Sequence, residues 1–233
     1  MTKAVLFDVD FTLIYPGPTF QGEGYAAFSA RHGIEVDATR FDAAVTSAAS
    51  LLDLPEDTVY EDEIHIRYTR HILERMGAAG NVGALDACAR EIYREWAACQ
   101  HFELYDDVPG VLRDLAASGV RIGLVSNSHR CLASFQAHFE LQGLISATVS
   151  SSDHGMMKPH PSIFRAALDL MDVPPAEAMM VGDSVPHDIE GALRLGMRAA
   201  LLHRSGRPHP REAELAGLGV PTMRSLRELT GLL

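Results

Sequence analysis

Lysine is nearly missing from this chain of 233 residues: of twenty basic side chains eighteen are arginine, and only Lys3 and Lys158 are lysine. Lys3 sits at the terminus; Lys158 is the one whose retention asks for a reason. Cysteine is scarce as well. Cys88, Cys99 and Cys131 are odd in number and show neither CxxC nor metal-ligand spacing, so they read as reduced thiols of a cytosolic protein. No apolar run approaches the roughly 20 residues that a membrane-spanning helix needs. Strand-like residues begin within the first few positions and leave no room for a signal peptide, so the expected location is cytoplasmic and off the membrane. Positive charge is in short supply overall. A net charge of −11 makes a nucleic-acid backbone an unsuitable partner, whereas a small anionic substrate fits if positive charge is concentrated locally. Neither a repeat nor a low-complexity tract is visible.

What is present is an ordinary globular composition, 47% apolar and 22% charged, long enough to bury a sizeable core. The stretch Leu6-Phe7-Asp8-Val9-Asp10-Phe11-Thr12-Leu13 organises it. Ala4 to Phe7 reads as a short buried strand, with Asp8 and Asp10 where the strand should end. Side chains i and i+2 share a face, so the two carboxylates project together at the edge where open α/β sheets place ligands. Like charges so close repel unless a cation or shared proton relieves them, and oxygen-only ligands suit Mg²⁺. Taken alone, the pair reads equally as two solvated acids at a strand end.

The turn-rich segment 15–19 leads into about 80 residues of helical pattern. Helices are expected at Gly24–Arg31, Arg40–Leu52, Thr58–Met76 and Ala84–Cys99. Residues 16–102 carry 14 acids against 7 bases, so −7 of the net charge lies there. Such a block is long enough to be a second domain, with residues 1–15 and 103–233 forming the first; the alternative is a helical layer on one continuous core. From Leu104 onward strands and helices alternate, with Asp107 expected to cap a helix that has Pro109 in its first turn. Strands are expected at 120–125, 147–150, 178–181 and 198–202, with a last edge strand near 220–223. Repeated strand–helix units imply an α/β fold with a parallel sheet covered on both faces.

Three strand ends thus offer polar groups: Asp8 and Asp10, then Ser126-Asn127-Ser128, then Gly182-Asp183-Ser184 with Asp188 five residues beyond Asp183. Lys158-Pro159 arrives on a separate loop. DVDFTL, SNS, KP and GDSVPHD, in this order, resemble the four motifs of haloacid dehalogenase-like (HAD) hydrolases. The resemblance implies a doubly wound, Rossmann-like core with an α-helical cap inserted after the first strand. It implies a phosphatase acting on a small phosphorylated metabolite with Mg²⁺ as cofactor. In that scheme Asp8 is the nucleophile and forms an aspartyl-phosphate, and Asp10 is the acid and base. Ser126 offers its hydroxyl and Asn127 a backbone or amide contact to the phosphoryl oxygens, and Lys158 reaches both phosphoryl group and carboxylates. The metal falls to Asp8, the backbone of Asp10 and Asp183, with Asp188 behind them through water or orienting Lys158. Asp188 taken singly also reads as a helix N-cap.

The family usually has glycine where this chain has Phe11, which puts the loop geometry at Asp10 in question. His154 and His160 flank Lys158 but read better as a solvated loop. Arg67, Arg70 and His71, with Tyr15, are candidates for contact with a leaving group, although a solvated helix face is the commoner role for such residues. Within the same fold a phosphomutase or a 2-haloacid dehalogenase is the alternative, the latter disfavoured by Asp183. A non-enzymatic phospho-acceptor or binding module is the alternative of another class; it has little use for Asp10 or for a cap.

Overall fold

The computed structural model describes residues 2–53, 55, 57–79 and 81–233. Ala4–Phe7 (β1) is apolar and wholly buried. After it come Ile14–Pro16 (β2), then Gly22–Arg31 (α1), Phe41–Ala48 (α2), Asp62–Arg75 (α3) and Val82–Glu95 (α4), and then Phe102–Leu104 (β3). The chain continues with Val108–Ala117 (α5), Arg121–Ser126 (β4), Leu132–His138 (α6), Ala147–Ser150 (β5), Ser151–His154 (α7) and Pro161–Met171 (α8). It closes with Ala178–Gly182 (β6), Gly191–Arg194 (α9), Arg198–Leu202 (β7), Glu212–Gly217 (α10) and Thr222–Met223 (β8).

Six strands form a parallel sheet in the order β5-β4-β1-β6-β7-β8. Phe7 pairs with Leu124 of β4 on one side and with Val181 of β6 on the other. The chain therefore builds outward from β1 in both directions, and the change of direction opens a crevice beyond the carboxyl ends of β1 and β6. Asp8 and Asp183 lie at those ends, and Ser126 ends the neighbouring β4.

Ala4 and Leu6 face one side of the sheet and pack with Val125, Met180, Leu201 and the α8 residues Ile163, Phe164, Leu168 and Met171. Val5 and Phe7 face the other side and are equally buried, so both faces are covered. Helix α8 shows why: Pro161 starts it, its apolar positions recur on one stripe, and Asp172 ends it in the left-handed region at φ 50°. Each such side chain contributes about 1.5–3 kcal/mol on burial. Gly123 sits where α8 crosses β4, because a Cβ there would strike Leu6 and Met171.

The chain divides into two compact units, Met1–Tyr15 with Glu56–Val59 and Leu104–Leu233, and Pro16–Pro55 with Tyr60–Glu103. The second unit is helical. Its interior is built on Tyr25, Phe28, Ile72, Leu73, Met76 and Ile92, and Phe20 stacks among Phe28, Trp96 and Phe102 with ring centroids 4.6–6.3 Å away. Cys88 and Cys99 are buried free thiols and Cys131 is an exposed one.

Several local expectations shift. The expected helix 58–76 begins only at Asp62, with Asp62 and Glu63 in its first turn. Val59 instead makes an antiparallel bridge with Met156, and Met157 N–H donates to Thr58 O at 3.2 Å, so this short piece joins the sheet unit. Asp107 stands at the start of α5 without capping it. Its carboxylate accepts from both terminal nitrogens of Arg204 (3.0 and 2.9 Å), from Ser225 Oγ at 2.6 Å and from Leu226 N at 2.8 Å. Burial alone would raise Asp107, but these donors hold it below the usual carboxylate range. A long-range tie has displaced a local cap. After β6 a wide π-type turn, Val185–Glu190, precedes α9.

Candidate active site

Lys158 is the centre of the site. It arrives on the loop before α8, 2% exposed, and its Nζ donates to Asp8 Oδ1 at 2.6 Å and to Asp188 Oδ1 at 2.7 Å. Burial would lower the lysine, yet the two carboxylates hold it well above its ordinary value, so it stays charged. Its backbone is fixed by Asn127, whose side-chain oxygen accepts from Lys158 N at 2.7 Å and whose amide donates to Lys158 O at 2.9 Å. The amide expected to face phosphoryl oxygens is thus committed to holding the lysine loop. Ser126 Oγ lies buried at the end of β4, 2.9 Å from Ser128 Oγ.

Asp8 follows β1 directly, and its N–H continues the ladder to Val181 O at 3.0 Å. Burial raises its carboxyl, and Asp188 adds to the rise against the pull of Lys158. Asp188 is fully buried and is not an N-cap. Ser184 takes that role, accepting from His187 N, while Asp188 Oδ2 accepts from Ser184 N at 3.0 Å. Gly182 makes this possible, since a Cβ there would collide with the Asp188 carboxylate. The π-type turn and the glycine together aim Asp188 back at Lys158.

One oxygen from each of Asp8, Asp183 and Asp188 lies within 4.8 Å of the others. Asp183 is exposed on its outer side, yet the protein packed around its carboxyl, together with Asp8 and Asp188, pushes it well above the usual range. Thr12 Oγ1 approaches Asp183 Oδ1 at 3.4 Å, and Thr12 O accepts from Arg204 Nη2 at 3.1 Å. Three carboxylates around one ammonium leave negative charge in excess, with only oxygen donors on offer: an arrangement suited to a hard divalent cation.

Asp10 takes a different partner. Arg130, on the loop after β4, donates from Nη2 to Asp10 Oδ1 at 2.8 Å, and its side chain is 0% exposed. Burial raises Asp10, with Arg130 countering it. Phe11 keeps the loop in the left-handed conformation, φ 64°, and its N–H bonds Ile14 O at 2.7 Å. This explains the preference for glycine there; a bulky residue held in that region costs about 1–2 kcal/mol.

The structure brings Asp8, Lys158, Asp183 and Asp188 together, with Asp10, Ser126 and Asn127 on the same strand ends. Other candidates are engaged elsewhere. His154 and His160 both meet Ser162 Oγ at 2.7 Å, and His160 caps α8. Arg70 pairs with Asp86 and Glu63, His71 lies 3.0 Å from Ser47 Oγ, Arg67 is exposed, and Tyr15 packs on Tyr105. Sequence reasoning passed over Thr12, Arg130 and Arg204. Among eighteen arginines nothing in the spacing marks those two; only Thr12 stood inside a motif.

The family model for haloacid dehalogenase-like hydrolases matches residues 2–196. The chain therefore belongs to that family and is a hydrolase. It is similar to N-acylneuraminate-9-phosphatase of Mus musculus, 30% identical over 88% of this chain and 84% of that one. It is also similar to glyceraldehyde 3-phosphate phosphatase of Methanopyrus kandleri, 31% identical over 88% and 85%. In fold it is similar to a HAD phosphatase from Thermococcus onnurineus, with a TM-score of 0.67 and 22% identity over 99% of this chain and 97% of that chain. No helix among the described residues is long and apolar enough to cross a membrane.

Proposed function

We propose that this hydrolase is a Mg²⁺-dependent phosphatase of a small phosphorylated metabolite, with Asp8 as its nucleophile. The observation that carries the reading is Lys158 bridging Asp8 and Asp188 at 2.6 and 2.7 Å with Asp183 alongside. Two relatives named as phosphatases support it.

Asp8 and Asp183 would supply the side-chain ligands for the cation, with the main-chain carbonyl of Asp10, while Asp188, bonded to Lys158 and to Ser184 N, orients the lysine. Bound there, Mg²⁺ would offset the charge of the phosphoryl oxygens and let an anionic carboxylate approach. Lys158 adds a compact positive charge beside Asp8, and Ser126 Oγ donates to a phosphoryl oxygen. Asp8 attacks phosphorus in line as the ester P–O bond breaks, and Asp10 gives its proton to the departing oxygen. Asp10 then takes a proton from water, which attacks the aspartyl-phosphate and releases phosphate and free Asp8. The inserted helical unit serves as the cap that excludes bulk water and selects the leaving group.

The test is phosphate release from p-nitrophenyl phosphate. Turnover is expected with Mg²⁺ and not with a chelator. Asp8→Asn is expected to lose at least about 10³-fold in kcat while remaining folded. Full activity in that variant rejects the nucleophile, and metal-indifferent release of halide from a 2-haloacid points to carbon rather than phosphorus chemistry.

A further inference from the structure

Two acids two residues apart are each given a separate cation. Asp8 has Lys158; Asp10 has Arg130. The second pairing belongs to none of the four motifs. Arg130 is among the largest fully buried side chains of the protein, and a guanidinium removed from water is expensive to hold unless a carboxylate meets it. Asp10 does so at 2.8 Å through Oδ1 only. Its other oxygen, Oδ2, takes no hydrogen bond from protein among the described residues, and its side chain stays 18% exposed. One oxygen is clamped, and the side chain is not sealed from solvent.

The clamp has a topological basis. Asp10 follows β1 and Arg130 follows β4, and these strands are neighbours whose last rungs are Phe7 with Leu124. Both loops therefore leave the sheet side by side, which keeps the two side chains within reach of each other. A guanidinium also fixes direction as an ammonium does not, because its donors lie in one plane.

We propose that Arg130 is a positioning residue for proton transfer: it holds Oδ1 of Asp10 so that Oδ2 is presented to the oxygen joining phosphorus to the leaving group. The inference rests on the phosphatase reading above. Its consequence is specific to the leaving group. An alkoxide needs a proton as it departs, whereas p-nitrophenolate leaves as an anion. Misplacing the acid therefore harms alkyl esters more than aryl ones. A purely structural ion pair would harm both alike.

The experiment compares kcat and KM for ethyl phosphate and p-nitrophenyl phosphate in wild type, Arg130→Gln, Arg130→Lys and Asp10→Asn, all with Mg²⁺. Arg130→Gln is expected to lower kcat for the alkyl ester at least about 10-fold more than for the aryl ester, within the range that general acid catalysis supplies. KM should change little, and Arg130→Lys should recover part of the loss. In an Asp10→Asn background, Arg130→Gln should add no further selectivity. If Arg130→Gln does not fold, Arg130→Lys carries the comparison, with a smaller bias of the same sign. Equal losses on both esters in these variants, or a change confined to KM, overturn the proposal. If Asp10→Asn shows the bias and the Arg130 variants do not, the phosphatase reading stands and the role of Arg130 falls. If wild type releases phosphate from neither ester, both fall.

Discussion

The two units differ in where they let charges meet. In the helical unit Arg70 and Arg90 share Glu63 and Asp86 across α3 and α4, and every member of the quartet is 28–46% exposed. The sheet unit has exposed pairs too, Lys3 with Glu177 and Arg227 with Asp106 among them, but it adds buried ones: Lys158 with Asp8 and Asp188, Arg130 with Asp10, and Arg204 with Asp107, whose side chain is 1% exposed. Exposed pairs are screened and lie on a surface that tolerates change. Buried ones are costly to assemble and ruinous to leave half-made. The sheet unit carries three such sets where its strands end, and the proposed active site draws on two of them.

The contrast can be pressed from its strong end. Asp107→Ala leaves Arg204 without its carboxylate and releases the tie to Ser225 and Leu226; a loss of about 3–5 kcal/mol is expected by urea denaturation. The folded carboxyl lies below its unfolded value near 3.9, so its stabilisation is complete above that pH and is lost as pH falls through the folded value. The gap between wild type and variant should therefore persist from neutrality to about pH 4 and close below it. A loss under about 1 kcal/mol would erase the distinction between the units.

Gly182→Ala drives a methyl group into Asp188 and should loosen its hold on Lys158. A fall in kcat of about 10–100-fold, with the helical content unchanged by circular dichroism, is the expected outcome. Asp183→Asn should work in the other direction on stability. Its folded carboxyl is raised, so metal-free wild type is stabilised at low pH and loses that contribution as pH rises through the folded value. In chelator at pH 7 the variant should melt higher than wild type and show a flatter pH dependence, while losing turnover; an unchanged or lower Tm would remove the argument that the site is short of a cation. The smallest effect belongs to the helical unit: Arg90→Ala should leave the urea midpoint nearly unchanged, and more so at high salt.

Much of this was legible beforehand, and the reasons are local. The strand at 4–7 announces itself by four apolar residues in a row with acids directly after them. Asp8, Lys158, Asp183 and Asp188 were found because a motif records which short segments must meet. What escaped was non-local. Asp107 had every local mark of a cap, and the competing bonds came from residues about a hundred positions away. Thr58 and Val59 were drawn into the helical pattern because nothing nearby reveals a partner at Met156. That the Asn127 amide clasps a backbone could not be read either, because that backbone lies thirty-one residues on.

By itself, then, the order of amino acids determined most of the strands and helices and the four segments that resemble the family's motifs, since backbone preference and apolar spacing act over a few residues. Only the tertiary structure decided which cation each acid receives: Lys158 for Asp8, Arg130 for Asp10, Arg204 for Asp107. Pairing between charges depends on distance in space and on exclusion of water, and neither is a property of neighbours along the chain.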